Sequence, residues 1–299
     1  MSIAQQTTLA DRWDGPLTQP TAPRWQQDTA SKRLKFHDEQ EPFLYPRERY
    51  YNFTSGIGAG KTVAGIIRAA ANVEEWNPGE TGMILAPTVP ALKNVILPEM
   101  RKWGFLDDWE YRGPGSEQPG LHAPNGSRVI LESADNQRKI ERLRGPSISW
   151  FWIDEAAQVP RRAWDILVGR LRTGTYRNGF ITTTPKGKNH TYDFFVGNVD
   201  ATKVREGNAT LYEAENRRAV VGVPTDANPH TPEDYHEAME SDMPDAIRAQ
   251  EIRGEFVEIG SGVLTKEMLT AAPTEELEST ELTYHVGVDV GIESDSRKA

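Results

Sequence analysis

A group of glycines followed by a lysine and a threonine has the clearest chemistry in the sequence. The segment reads SGIGAGKT, between an aromatic, β-favouring stretch and an alanine-rich stretch with helical spacing. A loop with little side-chain bulk lets several backbone N–H groups turn toward one anion, at the positive end of the following helix. We therefore predict a phosphate-binding loop. Its predicted contacts are Ser55, Gly56, Ile57, Gly58, Ala59, Gly60, Lys61 and Thr62.

The loop departs from the G-x-x-x-x-G-K-[ST] pattern at its first position. The pattern has glycine where this chain has Ser55, and Gly56 follows at once. Backbone flexibility is therefore displaced by one residue. The alternative interpretation is a glycine-rich turn with an incidental lysine, but the strand before it and the helix after it favour phosphate binding by Lys61.

Two adjacent carboxylates follow a largely apolar run that begins at Ile148. Such a run is typical of a central strand buried on both faces, and charges at its end need a compensating cation. We predict that Asp154 and the Thr62 hydroxyl hold Mg²⁺, and that Glu155 orients and polarises an attacking water. The alternative is a strand end before a helix, whose first turn favours acids. The two motifs together predict binding and hydrolysis of ATP, with Lys61 and Glu155 as catalytic residues.

Two weaker features fit the same site. Thr182, Thr183 and Thr184 end a predicted strand and would couple the γ-phosphate to movement, although threonine is by default a good strand former. Gln40 lies about twenty residues before Lys61, and its amide could read the adenine edge because it offers both a donor and an acceptor. Most glutamines are simply surface residues.

Strands and helices alternate around these motifs. Strands are predicted near residues 50–55, 81–88, 127–133, 148–154 and 179–184, and helical stretches near 62–71, 89–103, 135–144 and 161–172. With the phosphate loop after the first strand, this order predicts an α/β fold of the P-loop NTPase type, with a doubly wound, mainly parallel sheet flanked by helices. Residues 110–125 are predicted to be a loop, and residues 1–35 a loosely ordered arm.

Composition and charge narrow the class of protein. The 299 residues include no cysteine, which excludes disulfides and thiolate metal sites, and no apolar run long enough to cross a bilayer. We therefore expect no membrane partner. The net charge of −10 argues against a passive, wholly basic DNA-binding protein. Residues 126–190 nevertheless have a net charge of +6, whereas residues 200–299 have −13.

The order and spacing of these motifs resemble the ATPase motor of viral large terminases, which package double-stranded DNA into capsids. The resemblance extends over residues 36–291. Beyond the phosphate loop and Gln40, it is carried by the segments Ala86–Thr88, Ser133–Asn136, Leu143–Gly145, Trp152–Ala157, Thr183–Asn189, Asp226–His230 and Gln250–Phe256.

The resemblance implies a working form and partners. It implies a homo-oligomeric ring, pentameric on the capsid portal, that also meets a small terminase subunit and double-stranded DNA. Arg144 matches an arginine that reaches the neighbouring subunit's ATP in some terminases. A surface arginine or a contact to a DNA phosphate is the alternative. The expected location is the cytoplasm of the infected host cell and, transiently, the procapsid portal.

The resemblance also implies a domain order. Residues 36–260 would form the motor, closed by a subdomain at about 200–260, and residues 261–299 would form a short linker and the truncated start of an RNase H-like nuclease domain. Asp289 matches the first metal-binding aspartate of that nuclease, which would not function alone. Two alternatives to a packaging motor remain: a helicase-like DNA-dependent ATPase, and a non-catalytic nucleotide-binding scaffold for assembly.

Overall fold

The computed structural model describes residues 37–232, 235, 239 and 243–257. The predicted arm at residues 1–35 and the predicted linker and nuclease strand at 261–299, including Asp289, lie outside the described residues. In the part of the chain that is described, no helix is both long and apolar enough to span a membrane.

Ten strands and eight α-helical segments are described. The strands are β1 Tyr50–Ser55, β2 Thr81–Ala86, β3 Glu110–Arg112, β4 Gly120–His122, β5 Arg128–Ser133, β6 Trp150–Asp154, β7 Asn178–Thr183, β8 Thr202–Arg205, β9 Thr210–Ala214 and β10 Arg217–Val223. The α-helices are α1 Glu41–Leu44, α2 Lys61–Ala71, α3 Val89–Ala91, α4 Leu97–Lys102, α5 Gln137–Arg142, α6 Arg161–Val168, α7 His190–Tyr192 and α8 Asp245–Glu251. Three π-helical segments extend or join these helices: Asn72–Trp76, Leu92–Ile96 and Asp193–Gly197. Two short 3₁₀ turns complete the described elements: Ala156–Gln158 and Thr225–Ala227.

All ten described strands form one sheet, in the order β3-β4-β5-β2-β6-β7-β1-β10-β9-β8. The six central strands of this order, from β5 to β10, pair in parallel, and an antiparallel pair lies at each edge. Parallel pairing requires crossover connections that cover the sheet faces. The predicted doubly wound, mainly parallel α/β sheet is confirmed.

Strand β6, which leads into the two carboxylates, shows how the core is divided between the two faces of the sheet. Trp150 and Trp152 of β6 belong to one cluster of buried apolar residues, whereas Phe151 and Ile153 belong to another. Successive side chains of a strand point to opposite faces, so one strand supplies both clusters. A Cβ at Gly65 of α2 would lie 2.3 Å from the Trp152 ring, so only glycine lets this helix pack so closely on β6.

A buried arginine fixes the far side of α2. Arg68 has no exposed surface, and its guanidinium lies 3.5 Å from the centre of the Tyr51 ring. It donates to the Phe43 carbonyl and, over 3.0 Å, to the Tyr176 hydroxyl. Stacking on an aromatic ring and hydrogen bonds to oxygens compensate the burial of the guanidinium charge. The contacts tie α1, β1 and the turn before β7 to the helix that begins with Lys61.

Two details of the predicted layout are wrong. The stretch 110–125 is not entirely loop, because it contributes the short strands β3 and β4 to one sheet edge. The helical stretch predicted over 161–172 ends at Val168, since Leu171 pairs with Ile148 in an isolated parallel bridge. Strands β8, β9 and β10 are additions that the sequence patterns do not predict.

Candidate functional site

The glycine-rich loop connects the carboxyl end of β1 to the first residue of α2. Gly58 and Gly60 have φ values of +79° and +84°. A side chain at either position would strain the backbone, so these two glycines are required by conformation. The predicted geometry of strand, turn and helix is therefore present from Tyr50 to Ala71.

Ser55 takes the place of the expected glycine without strain. It is fully buried at the end of β1, and its hydroxyl donates to the Gly56 carbonyl over 3.1 Å. Among the described residues, Ser55 is not one of those with positive φ. The steric demand falls on its neighbours: a Cβ at Gly56 would lie 2.2 Å from the Ile252 carbonyl oxygen, and one at Gly254 would lie 2.7 Å from the Ser55 Cα.

The loop and the start of α2 present a row of unpaired backbone donors. In the part of the chain that the structure describes, the N–H groups at Gly58, Gly60, Lys61, Thr62 and Val63 have no hydrogen-bond acceptor. The first N–H groups of a helix have no partner within it, and they carry the positive end of its dipole. Such an arrangement suits an anion such as phosphate.

The two predicted catalytic side chains meet at this loop. Lys61 Nζ lies 3.3 Å from a carboxylate oxygen of Glu155, and their side chains are 11% and 26% exposed. Glu155 has φ +49° and ψ +48°, the left-handed region that non-glycine residues rarely adopt. A strained backbone at a partly exposed carboxylate, beside an anion site, is typical of a functional position.

Asp154 lies one residue before, at the buried end of β6. Its carboxylate accepts a hydrogen bond from the Thr182 hydroxyl over 2.6 Å, and that hydroxyl accepts one from Trp152 Nε1 over 2.7 Å. Burial and then the neighbouring Glu155 charge raise the pKa of Asp154 to about 6, against the Thr182 hydrogen bond and Lys61. A buried carboxylate with so little compensation would be stabilised by a cation.

The donor set fits Mg²⁺. Asp154 and Thr62 carry hard oxygen donors of the kind that Mg²⁺ prefers, and phosphate oxygens complete such a shell in nucleotide sites. The described residues include no cluster of three or more His, Cys, Asp or Glu side chains that could hold a metal alone.

Two of the three predicted coupling threonines, Thr182 and Thr183, tie β7 to the end of β6 and the turn after it. Asp154 pairs with Thr182 in the parallel register. The Thr183 hydroxyl accepts from the Ala157 N–H over 3.0 Å and donates to the Thr184 carbonyl over 2.9 Å. β7 itself lies between β1, which leads into the phosphate loop, and β6, which leads into the carboxylates.

Gln40 reaches the loop, as expected, but its amide contacts the backbone. It is 4% exposed, and its Nε2 donates to the Gly60 carbonyl over 3.1 Å. Three other side chains, those of His37, Thr225 and Asn228, also contact carbonyls of the loop, and no sequence motif predicts these contacts. The sequence patterns give His37 no role, and Thr225 and Asn228 lie in or beside a segment that is notable only for its resemblance. Contacts to backbone carbonyls leave no spacing pattern in the sequence.

Arg144 lies apart from this cluster, on the surface after α5. Its side chain is 55% exposed and pairs with Glu141 at 2.8 Å. Arg162 pairs with the same carboxylate at 2.6 Å. The structure of a single chain therefore leaves Arg144 accessible to another molecule.

Comparison with known proteins identifies the relatives of this chain. Residues 52–271 match the family described as terminase large subunit, T4likevirus-type, N-terminal. The PBSX phage terminase large subunit of Bacillus subtilis (strain 168) is 33% identical over 95 residues, which are 31% of this chain and 22% of that protein. The match thus spans less than a quarter of this relative's length.

Solved structures share the fold at low sequence identity. The large terminase ATPase domain of Thermus phage P74-26 matches with a TM-score of 0.54 and 22% identity, covering 75% of this chain and 94% of that one. The large terminase of a thermophilic bacteriophage, solved in complex with ADP, matches with a TM-score of 0.58 and 14% identity, covering 74% of this chain and 54% of that one. With a family model matched over most of its length, the chain belongs to the terminase large subunit family, in its T4likevirus-type N-terminal part.

Proposed function

We propose that this chain is the ATP-hydrolysing motor of a terminase and that it drives double-stranded DNA into a capsid. The observation that carries the proposal is the contact of Lys61 with Glu155 at 3.3 Å, beside five backbone N–H groups that have no acceptor among the described residues. An anion site, a cation for the outer phosphates and a carboxylate that can act on water are what phosphoryl transfer to water requires. Membership of the terminase family supports this proposal.

We infer an order of events from the ion pair between Lys61 and Glu155. When a nucleotide's phosphates enter the loop, Lys61 turns to their oxygens, because they offer it a stronger anion than Glu155 does. Glu155 is thereby released, and its carboxylate accepts a hydrogen bond from the attacking water and then its proton. Lys61 and the loop N–H groups stabilise the charge that develops on the phosphate oxygens.

Thr62 and Asp154 would hold Mg²⁺ in this scheme, and the ion would supply neutralisation of charge on the phosphate oxygens. Thr182 keeps the Asp154 carboxylate oriented through its hydrogen bond of 2.6 Å. Together with Thr183 and Thr184 it would transmit the state of the site along β7, which is how hydrolysis would be coupled to DNA movement.

The wider assembly belongs to the same proposal. The chain would work as a ring, pentameric on the capsid portal, with double-stranded DNA, a portal protein and a small terminase subunit as partners, in the cytoplasm of the infected cell. The basic region 126–190 would grip DNA phosphates without reading bases, so binding would weaken as salt rises. The thermophilic phage terminase, solved both with ADP and with ATP-gamma-S, supports ATP as the nucleotide.

Phosphate release and nucleotide binding, measured together, test the proposal. We expect wild-type protein to bind ADP and to release phosphate from ATP. Glu155→Gln should keep ADP binding and lose turnover by a factor of about 10² or more, because the base is removed and the anion site is not. Lys61→Ala should weaken binding as well. Binding of ADP without any phosphate release by the wild type would instead support a nucleotide-binding scaffold.

A second assay separates the motor from a helicase. Double-stranded DNA with blunt ends should stimulate phosphate release as well as forked DNA does, and no strand separation should accompany hydrolysis. Strand separation on the forked substrate would contradict a packaging motor.

A further inference from the structure

Four consecutive backbone carbonyls of the phosphate loop each contact a side-chain donor from outside the loop. Their distances are 2.7 Å from Thr225 Oγ1 to the carbonyl of Ile57, 2.6 Å from Asn228 Nδ2 to that of Gly58, 3.0 Å from His37 Nε2 to that of Ala59 and 3.1 Å from Gln40 Nε2 to that of Gly60. The four donors come from two segments that flank the fold, one before β1 and one after β10. We call these four side chains the carbonyl clamp.

The planarity of the peptide unit links the clamp to the anion site. In a trans peptide the C=O of one residue and the N–H of the next point in opposite directions. Holding the carbonyls of residues 57, 59 and 60 outward therefore turns the N–H groups at Gly58, Gly60 and Lys61 inward. These three N–H groups are among the five that have no acceptor in the described residues. The Gly60 carbonyl also accepts the Ala64 N–H over 3.0 Å, so α2 and Gln40 fix this last peptide together.

The clamp is itself braced. Nδ1 of His37 lies 3.0 Å from the Glu39 carboxylate, which fixes the imidazole ring. Thr225 is 1% exposed and also contacts the Ile252 carbonyl over 3.2 Å. The Ile57 N–H donates to the Glu251 carbonyl over 2.7 Å, so the first turn of the loop is attached to the end of α8.

We propose that His37, Gln40, Thr225 and Asn228 are positioning residues that preorganise the phosphate loop by fixing its carbonyls outward. The inference rests on the proposed nucleotide binding. It adds that these four side chains determine how tightly the nucleotide binds. A site whose donors are already aimed at the phosphates avoids the free-energy cost of ordering them on binding. It also assigns the Gln40 amide to the loop rather than to the base, so its loss should weaken binding of any nucleoside diphosphate.

Calorimetric titration with ADP and with GDP tests the clamp in the full chain. Asn228→Ala, at a partly exposed position, should raise the Kd of both nucleotides by the same factor of about three to ten, the effect of the lost hydrogen bond to the Gly58 carbonyl. Gln40→Ala should act on both nucleotides in the same way. A change for ADP alone would assign Gln40 to the base and overturn its place in the clamp.

A matched pair at Thr225 separates positioning from a merely structural role. Thr225→Val keeps the shape and removes the hydroxyl, so it should raise both Kd values, whereas Thr225→Ser keeps the donor and should restore wild-type affinity. Thr191→Val removes another buried hydroxyl, which bonds Asn189 instead of the loop, and should leave both Kd values unchanged. Wild-type affinity in Asn228→Ala and Thr225→Val would overturn the inference. Failure of wild-type protein to bind ADP would contradict the proposed function itself.

Discussion

At the scale of single residues, the hydroxyl of Thr182 has two partners in the buried centre of the site. It donates to Asp154 over 2.6 Å and accepts from the Trp152 indole over 2.7 Å. All three side chains are at least 96% buried, so water cannot replace a lost partner. One hydroxyl therefore fixes both the carboxylate and a tryptophan of the core that packs against α2.

We expect Thr182→Val to lower the free energy of unfolding by about 1 to 3 kcal/mol, because it leaves a buried carboxylate oxygen and an indole N–H without this partner. Urea denaturation measures this loss. Thr182→Ser keeps the hydroxyl and is the control. Equal stability of the valine and serine variants would mean that the hydrogen bonds contribute nothing.

A second residue makes stability depend on pH at a distance from the site. Burial and then the neighbouring Glu74 raise the pKa of Glu75 from 4.5 to about 7. Between these values the folded protein keeps a proton that the unfolded chain has released. Stability contributed by the protonated form is therefore present at low pH and is lost as pH rises toward 7.

Glu75→Gln should remove this dependence. We expect the variant to be more stable than wild type above pH 7 by about 1 to 2 kcal/mol, a figure reduced for the partial exposure of Glu75. The two proteins should converge near pH 4.5, the ordinary pKa of the glutamate side chain. Urea denaturation at a series of pH values on both sides of this range provides the measurement, and a constant difference throughout would contradict the assignment.

At the scale of elements, the segment after α8 closes over the phosphate loop. Gly254 has φ +67°, and a Cβ there would lie 2.7 Å from backbone atoms of Ser55 and Gly56. The Gly56 N–H donates to the Val223 carbonyl over 2.9 Å, so the loop is held between β10 and this segment. Gly56 and Gly254 lie at this contact, and their lack of side chains lets the two backbone segments approach each other.

Gly254→Ala should disturb this contact. We expect it to lower the free energy of unfolding by about 2 to 4 kcal/mol, the sum of left-handed strain and a backbone clash. It should also weaken ADP binding, since the loop must shift. Gly207→Ala is the matched control, because a Cβ there would meet no atom of the described residues within 4 Å. Equal thermal stability of the Gly254→Ala and Gly207→Ala proteins would contradict the contact.

The elements also explain what the sequence could predict. The phosphate loop and Asp154–Glu155 were predictable because each motif is local, with residue types at fixed spacing next to a strand. Thr225 could not be found in this way, since it contacts Ile57 across 168 residues of chain and through a backbone atom. Strands β8 and β9 are not predicted because they are short, mostly unburied segments in a charged region, whereas β10 is longer and buried but has no motif of fixed spacing beside it. β10 takes its place in the sheet by pairing with β1, β9 pairs with β10, and β8 pairs with β9.

At the scale of the whole molecule, charge is unevenly distributed along the chain. Residues 126–190 have a net charge of +6, although the complete chain has −10. Exposed arginines lie on α5, on α6 and in the turn between α5 and β6, and Glu141 pairs with both Arg144 and Arg162. Exposed ion pairs of this kind contribute little to stability. Arg144 can therefore exchange Glu141 for another anion at low cost.

The exposed position of Arg144 predicts an ATPase activity that depends on assembly. If Arg144 completes the site of a neighbouring subunit, Arg144→Ala and Glu155→Ala proteins should each lack ATPase activity. The first lacks the arginine that reaches the neighbour's ATP, and the second lacks the base that activates water. A mixture should regain part of the activity, since some interfaces combine an intact Glu155 with an intact Arg144. An arginine of this kind contributes about 10³- to 10⁵-fold in rate, so even a small intact fraction should be measurable.

A nearby arginine and a measurement of assembly provide the controls for this prediction. Arg142→Ala removes a nearby exposed arginine and should keep wild-type phosphate release, which would separate a specific contact of Arg144 from the general charge of this surface. Light scattering must confirm that the variants assemble. Mixed assemblies that form but release no phosphate would contradict an action of Arg144 between subunits. In that outcome Arg144 would act within its own chain or on DNA, and binding of DNA by Arg144→Ala would then distinguish these two roles.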